Sequence, residues 1–294
     1  MKKKFLAIGV AAALSVTAVG MMAGCGPASA DDGEEDLTLT ISGSTSVQPL
    51  MNELAAKYEE LNEGVTIEVS GGGSGVGISD AQQGRVDIGM SSRDLNSNET
   101  GVTSKKIADD GIAIIVKSDC TVSSVTSAEI FDLYISGTAI QNTITKAVMR
   151  ESASGTRSAF LELIVKDGVA MEDAYAEKLA FADCVQEANS TDLAISNVAG
   201  DTATLGFISL GSVAANASRI KALAVDGVEA TLENVANGSY AIARPFNLIY
   251  QEDKLSDLAK DFLAFIDSAE GQAIINADYI GQVENAPAYT PYVK

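Results

Sequence analysis

Four short segments of this chain share one design: a β-rich run ends, glycine and hydroxyl residues follow, and an apolar helical periodicity begins. They are Gly43-Ser44-Thr45-Ser46, Gly71-Gly72-Gly73-Ser74-Gly75, Ser91-Ser92-Arg93 and Arg150-Glu151-Ser152-Ala153-Ser154-Gly155-Thr156. The first turn of a helix leaves backbone N–H groups unpaired, and the aligned peptide dipoles place a partial positive charge there of roughly +0.5. Glycine lets a ligand approach the backbone, and hydroxyls add further donors. Several such turns meeting across a cleft would bind a tetrahedral oxyanion. Arg150 would add a charged, two-pronged contact. Any one of these segments is also what an ordinary N-cap looks like, and a lone arginine in a polar loop is commonly a surface ion-pair partner. Their recurrence is what carries weight. The stretch from Gly71 to Gly77 lacks the Gly-Lys-Ser/Thr ending of a P-loop and is a poor dinucleotide fingerprint.

Such turns need strands and helices to aim them. Leu37–Ile41 reads as a strand, and the next segment places Val47, Leu50, Met51, Leu54, Ala55, Tyr58 and Leu61 on one helical face, with Pro49 in the first turn and Gly64 at the end. Val65–Val69, Val86–Met90 and Ile112–Val116 read as further strands. In the second half, Ala147–Met149 is a strand ending, and the helix after it turns Ala159, Phe160, Leu163 and Ile164 inward. Leu205–Ile208 and Ile220–Val225 are strands, Tyr240–Tyr250 is extended, and two helices follow. Strands alternating with helices predict an α/β fold, parallel at least in part.

The start of the chain points to export. Lys2, Lys3 and Lys4 precede an apolar run from Phe5 to Met22, which reads as a secretory signal rather than a membrane span. Met22-Ala23-Gly24-Cys25 resembles a bacterial lipobox, so residues 1–24 are expected to be a signal peptide and Cys25 to be the lipidated residue; cleavage after Ala30 is the plainer alternative. Residues 25–36 are small, polar and acidic, and suit a flexible tether. The mature chain would carry 17 basic against 40 acidic residues, a charge of −23. That field makes nucleic acid and anionic lipid poor partners. The sequence has no histidine and no tryptophan. Without imidazole there is no Ser-His-Asp or Cys-His catalysis and no ordinary zinc site, so no catalytic residue, metal or cofactor is expected. Ser218-Arg219-Ile220-Lys221 matches Ser-x-x-Lys but lies in a predicted strand without a Lys-Thr-Gly partner. Cys120 and Cys184 are expected either to pair or to remain buried thiols.

Taken in order, Gly43-Ser44-Thr45-Ser46, Gly72-Gly73-Ser74-Gly75, Asp87-Ile88-Gly89-Met90-Ser91-Ser92-Arg93 and Arg150-x-x-x-Ser154-Gly155-Thr156 resemble the phosphate-binding proteins of the Pst uptake system, the PstS family. Gly206-Phe207-Ile208, Asn237-Gly238-Ser239-Tyr240 and Arg244-Pro245 extend the resemblance over nearly the whole mature chain. It implies a two-lobed periplasmic-binding-protein fold of type II. Each lobe would be a mixed, largely parallel sheet flanked by helices, and two crossover strands would form the hinge. Lobe I would comprise residues 37–116 plus 245–294, and lobe II residues 117–244. It implies a monomeric lipoprotein on the outer face of the cell membrane that captures inorganic phosphate and passes it to ABC permease subunits. The phosphate contacts implied are Thr45 and the N–H of Ser46 with Ser44 close by, the Ser74 hydroxyl, the Arg150 guanidinium, the Ser154 hydroxyl, the Gly155 N–H, and both groups of Thr156. One position departs from the family. Ser92 stands where well-known members carry an aspartate that accepts the proton of phosphate and so rejects sulfate. Arg93 and Asp94 are the neighbours that could compensate. Alternatives are the same fold binding sulfate, molybdate, tungstate or phosphonate, a hydrolase, or a surface adhesin.

Overall fold

The computed structural model describes residues 37–292. The expected signal peptide, the tether and Cys25 lie outside these residues. β1 (Thr38–Gly43), α1 (Gln48–Leu61), β2 (Thr66–Gly71), α2 (Ser74–Gln83) and β3 (Ile88–Ser91) come first. A long β4 (Thr103–Lys117) leads to β5 (Ser124–Val125), α3 (Ser127–Ser136), β6 (Lys146–Arg150) and α4 (Gly155–Leu163). Next come β7 (Val165–Lys166), β8 (Val169–Ala170), α5 (Met171–Lys178), β9 (Val185–Ala188), α6 (Thr191–Gly200) and β10 (Thr204–Ser209). The last elements are β11 (Ile220–Ala222), β12 (Ala224–Val225), α7 (Leu232–Ala236), β13 (Ala243–Tyr250), α8 (Asp257–Ile266), α9 (Ala269–Asp278) and β14 (Ile280–Gly281).

The main sheet runs β2-β1-β3-β13-β4-β10-β6-β9. Its two ends are parallel: β1 lies between β2 and β3, and β6 lies between β10 and β9. Its middle is antiparallel, because β4 pairs with both β13 and β10. A parallel pair needs a crossover, and helices supply it, so β1, β2, β6 and β9 each feed a helix start. β3 does not: the helix expected after Ser91-Ser92-Arg93 is replaced by an irregular segment that runs to β4.

Apolar side chains divide into two main cores. The first gathers Leu39, Ile41, Leu50, Leu54, Tyr58, Phe246, Phe262 and Phe265, with Ile107 and Ala108 from the early part of β4. The second gathers Ile112, Ile114 and Val116 from the later part with Tyr134, Phe160 and Phe207. Ala113 and Ile115, on the opposite face of β4, pack with Val148, Ile195 and Val198. The alternation is the two-residue period of a strand covered on both faces. We call the regions around the two main cores the first and second lobes.

α1 buries Leu50, Met51, Leu54, Ala55 and Tyr58 as its periodicity requires, and Pro49 sits in its first turn. In α4, Phe160 stacks on Phe207 with ring centroids 3.9 Å apart.

Several elements differ from the sequence reading. β4 starts at Thr103, well before Ile112, because half-buried Lys105 and exposed Lys106 pair through backbone with β13 and leave no apolar signature. The change of core falls within this strand, between Ala108 and Ile112. The single strand expected over Ile220–Val225 is divided at Leu223. β11 pairs with β4, β12 pairs with β5, and the Leu223 N–H donates to the Ile114 carbonyl at 2.8 Å. Cys120 and Cys184 are free thiols. Among the described residues no helix is long and apolar enough to cross a membrane.

Candidate anion site

The three turns of the first lobe lock together through backbone. Gly43, with φ +134°, accepts the Gly73 N–H at its carbonyl oxygen at 2.9 Å, while the Ser44 N–H reaches the Met90 carbonyl at 3.0 Å. A Cβ on Gly43 would lie 2.3 Å from that carbonyl oxygen, so both the dihedral and the close approach demand glycine. Hydroxyls continue the cluster. Ser44 Oγ donates to Ser92 Oγ at 3.0 Å, Ser92 Oγ lies 3.2 Å from Ser74 Oγ, and the Ser92 N–H donates to Ser74 Oγ at 3.0 Å. The Ser46 N–H reaches Ser44 Oγ at 3.3 Å. Ser44, Ser46, Ser74 and Ser92 are all buried.

From the second lobe, β6 ends at Arg150 and α4 begins at Gly155, with Ser154 as its N-cap. Ser154 Oγ accepts the Arg157 N–H at 3.3 Å, so its lone pair serves the helix and its own hydrogen stays free to donate elsewhere. Arg150 is buried with 1% of its surface exposed. Its Nε and Nη2 hold the two oxygens of Glu151 at 2.8 Å each, Nη1 reaches Thr191 Oγ1 at 3.1 Å, and Nη2 also reaches Thr45 Oγ1 at 2.9 Å.

The two lobes meet at these groups. Ser46 Oγ and Thr156 Oγ1 are 2.9 Å apart, Thr45 Oγ1 and Thr191 Oγ1 are 3.2 Å apart, and the Gly75 N–H donates to the Ala153 carbonyl at 3.0 Å. A Cβ on Gly155 would sit 2.4 Å from Ser74 Oγ and 2.8 Å from Ser92 Oγ. Ser44, Thr45, Ser46, Ser74, Ser92, Arg150, Gly155 and Thr156 therefore form one cluster. Ser154 stands at its margin, facing its own helix turn.

Sequence reading missed Thr191, Glu151, Asp110 and Arg244. Thr191 is the first residue of α6 after the N-cap Ser190, and its N–H reaches Thr45 Oγ1 at 3.3 Å. Asn189-Ser190-Thr191-Asp192 follows β9 with the same strand-turn-helix design as the other segments, so a signal was present. Arg244 touches Thr156 Oγ1 through Nη1 and Asp110 Oδ2 through Nη2, the latter at 3.1 Å. Ser209 Oγ donates to the other Asp110 oxygen at 2.9 Å. Burial pushes the Asp110 carboxyl up from 3.8 to about 6, against the pull of Arg244, the Ser209 hydroxyl and the Gly211 N–H. Burial likewise lowers Arg244, against the pull of Asp110. In both groups desolvation outweighs the partner, as in other deeply buried pairs. Arg93 and Asp94, the expected compensators for Ser92, are tied elsewhere. Arg93 grips Glu99 through two contacts of 2.7 Å, and Asp94 accepts from Asn247 Nδ2 at 3.1 Å.

The arrangement offers hydroxyls, helix N-termini and guanidinium groups within one buried cluster. Such a set can replace a hydration shell around an anion. Beside it lies a cleft of about 530 Å³ lined from both lobes, by Arg93, Asp94, Ser158, Glu162 and Arg244 among others.

A PBP superfamily domain is matched over residues 28–270. A chain from Clostridium perfringens, described as a phosphate ABC transporter substrate-binding protein with bound phosphate, is 36% identical. The match covers 84% of this chain and 100% of that one, with a TM-score of 0.75. The phosphate-binding protein PstS of Bacillus subtilis is 29% identical over 262 residues, 84% of this chain and 81% of that one. PstS 2 of Streptococcus agalactiae serotype V is 38% identical over 143 residues, 48% of this chain and 47% of the relative, so the chain spans about half the length of that curated relative. The match to a superfamily domain over most of the chain, and the full-length likeness to the Clostridium perfringens protein, place it among known proteins: the chain belongs to the PBP superfamily and, within it, to the PstS family.

Proposed function

We propose that this protein captures inorganic phosphate between its lobes and delivers it to the membrane permease subunits of an ABC transporter. The observation that carries this reading is the meeting of Thr45, Ser46, Ser74, Arg150, Gly155, Thr156 and Thr191 from turns of both lobes in one buried cluster. A hydrogen bond to a charged group contributes about 1.5–3 kcal/mol, so a few of them outweigh the repulsion from distant acidic surface groups, screened beyond about 8 Å. Ser44, Ser92 and Ser154 complete the contact set in this proposal. In this reading lobe I comprises residues 37–116 plus 245–294 and lobe II residues 117–244, and the change of core within β4 supports a division of the chain there.

The same reading takes the protein to be a non-enzymatic, cofactor-free monomer. It would be exported by a signal peptide over residues 1–24, anchored to the outer face of the cell membrane by a lipid on Cys25, and tethered by residues 25–36. Ser92 supports a second reading on selectivity. A hydroxyl there can both accept and donate, whereas a buried carboxylate facing fully ionised sulfate would lose about 1–3 kcal/mol or more. Sulfate, molybdate, tungstate and phosphonate are therefore the competitors to try.

Equilibrium dialysis with radiolabelled phosphate tests both readings. Binding at or below about 1 μM, near −8 kcal/mol, is expected, with weaker competition by sulfate. Arg150→Ala should weaken phosphate by about 2–5 kcal/mol, because the ligand charge loses its buried partner. No retention of phosphate would defeat the transport reading, and equal competition by sulfate would show that Ser92 has relaxed the selectivity.

A further inference from the structure

Arg244 and Asp110 stand directly opposite one another on the two antiparallel strands that join the lobes, β13 and β4. Their ion pair is almost completely buried, with side-chain exposures of 1% and 0%. Asp110 holds one nitrogen of the guanidinium, and Ser209 on β10 fixes the carboxylate in turn. The Phe246 ring lies 5.3 Å from the guanidinium carbon. So braced, the group reaches with Nη1 to Thr156 Oγ1, which itself lies 2.9 Å from Ser46 Oγ across the lobes. Its Nε–H is buried with no hydrogen-bond partner.

As a stabilising device alone this arrangement is poor. A buried ion pair seldom stabilises more than apolar residues of the same volume, and an orphaned buried donor adds a penalty. As a device for binding it is well made. The guanidinium is fixed in place by Asp110, and its Nη1 reaches the hydroxyl cluster at Thr156. Arg150 is neutralised locally by Glu151, and Arg244 by Asp110, so neither brings an uncompensated charge into the closed interior.

We infer that Arg244 is a second charged contact for the captured anion, entering through Nη1 at the position of Thr156 and oriented by Asp110. This rests on the anion-capture reading. It makes the hinge strands part of the binding site, so that the anion is gripped by an arginine from the mouth of α4 and another from the crossover itself.

Titration calorimetry with inorganic phosphate on the full chain tests it, using Arg244→Gln, Arg244→Lys and the paired Asp110→Asn/Arg244→Gln variant. Circular dichroism establishes that each is folded. Loss of one charged hydrogen bond predicts phosphate binding weakened about 10- to 100-fold in Arg244→Gln, with Arg244→Lys recovering part of that loss. The paired variant decides the role. It removes the orphaned carboxylate that Arg244→Gln leaves behind, so a bracing arginine would no longer be needed. Weak binding in the folded double variant supports a direct contact. Wild-type affinity in it overturns the inference while leaving the capture reading intact. If the unaltered chain itself takes no phosphate, both fall together.

Discussion

A methyl group on Gly155 would stand 2.4 Å from Ser74 Oγ, well inside any contact a folded protein holds, and the two atoms belong to different lobes. Gly155→Ala should therefore strain the closed arrangement while leaving each lobe folded. Overpacking of this kind costs about 1–3 kcal/mol, so calorimetry should show phosphate binding weakened by roughly 5- to 150-fold, with little change in the melting temperature without ligand. Unchanged affinity would mean that the lobes do not close on this glycine. The residues of this contact were legible in sequence because each sits in a local strand-turn-helix signature. Asp110 was not, and Arg244 was marked only by the Arg244-Pro245 motif without a role, since the meaning of each depends on a partner 134 positions away along the chain. Nothing near Asp110 in sequence marks it out from its half-buried neighbour Asp109, which pairs with Lys106.

At the scale of elements, the cluster is built from helix starts. α2 and the turn into α1 come from one lobe, and α4 and α6 from the other, all leaving strand ends at the parallel edges of the sheet. α6 is the element that sequence reading passed over. Its buried face is made of Ala194, Ile195 and Val198, too small a stripe to stand out over ten residues. Thr191 at its start is bonded to Thr45, Ser46 and Arg150 at once. Thr191→Val keeps the shape and removes those bonds, leaving an Arg150 donor without its acceptor. We expect phosphate affinity to fall about tenfold, near 1–1.5 kcal/mol. A wild-type constant in the dialysis assay would place α6 outside the binding machinery. The long β4 was only half visible for a related reason. Its later residues are a continuous apolar run, whereas Ser104, Lys105 and Lys106 owe their strand conformation to pairing with β13.

For the whole molecule, one buried polar pair bridges the two strands that cross between the cores, and it carries a pH signature. Burial raises the folded Asp110 carboxyl from its ordinary 3.8 to about 6. The folded state thus binds this proton more tightly than the unfolded chain. The group contributes most to stability at low pH, and that contribution is lost as pH rises through about 6, by about 3 kcal/mol in all. Glu99, held low chiefly by its hydrogen bond to Arg93, acts in the opposite sense as acid is added. The comparison must therefore be differential. The melting temperature of the protein relative to Asp110→Asn should rise between pH 7 and pH 5, and a flat difference would contradict a buried, proton-binding carboxyl. The two-lobed architecture was legible from the order of motifs. The place where the chain changes core was not, because β4 runs through it without a break.

In the proposed capture of phosphate, donors from both lobes converge on one tetrahedral anion. A crystal structure of the protein grown with phosphate tests it most directly. One phosphate is expected, with its oxygens within hydrogen-bond reach of Thr45, Ser46 and Ser74 from the first lobe and of Arg150, Gly155 and Thr156 from the second. Phosphate bound elsewhere, or contacted from one lobe only, would contradict it.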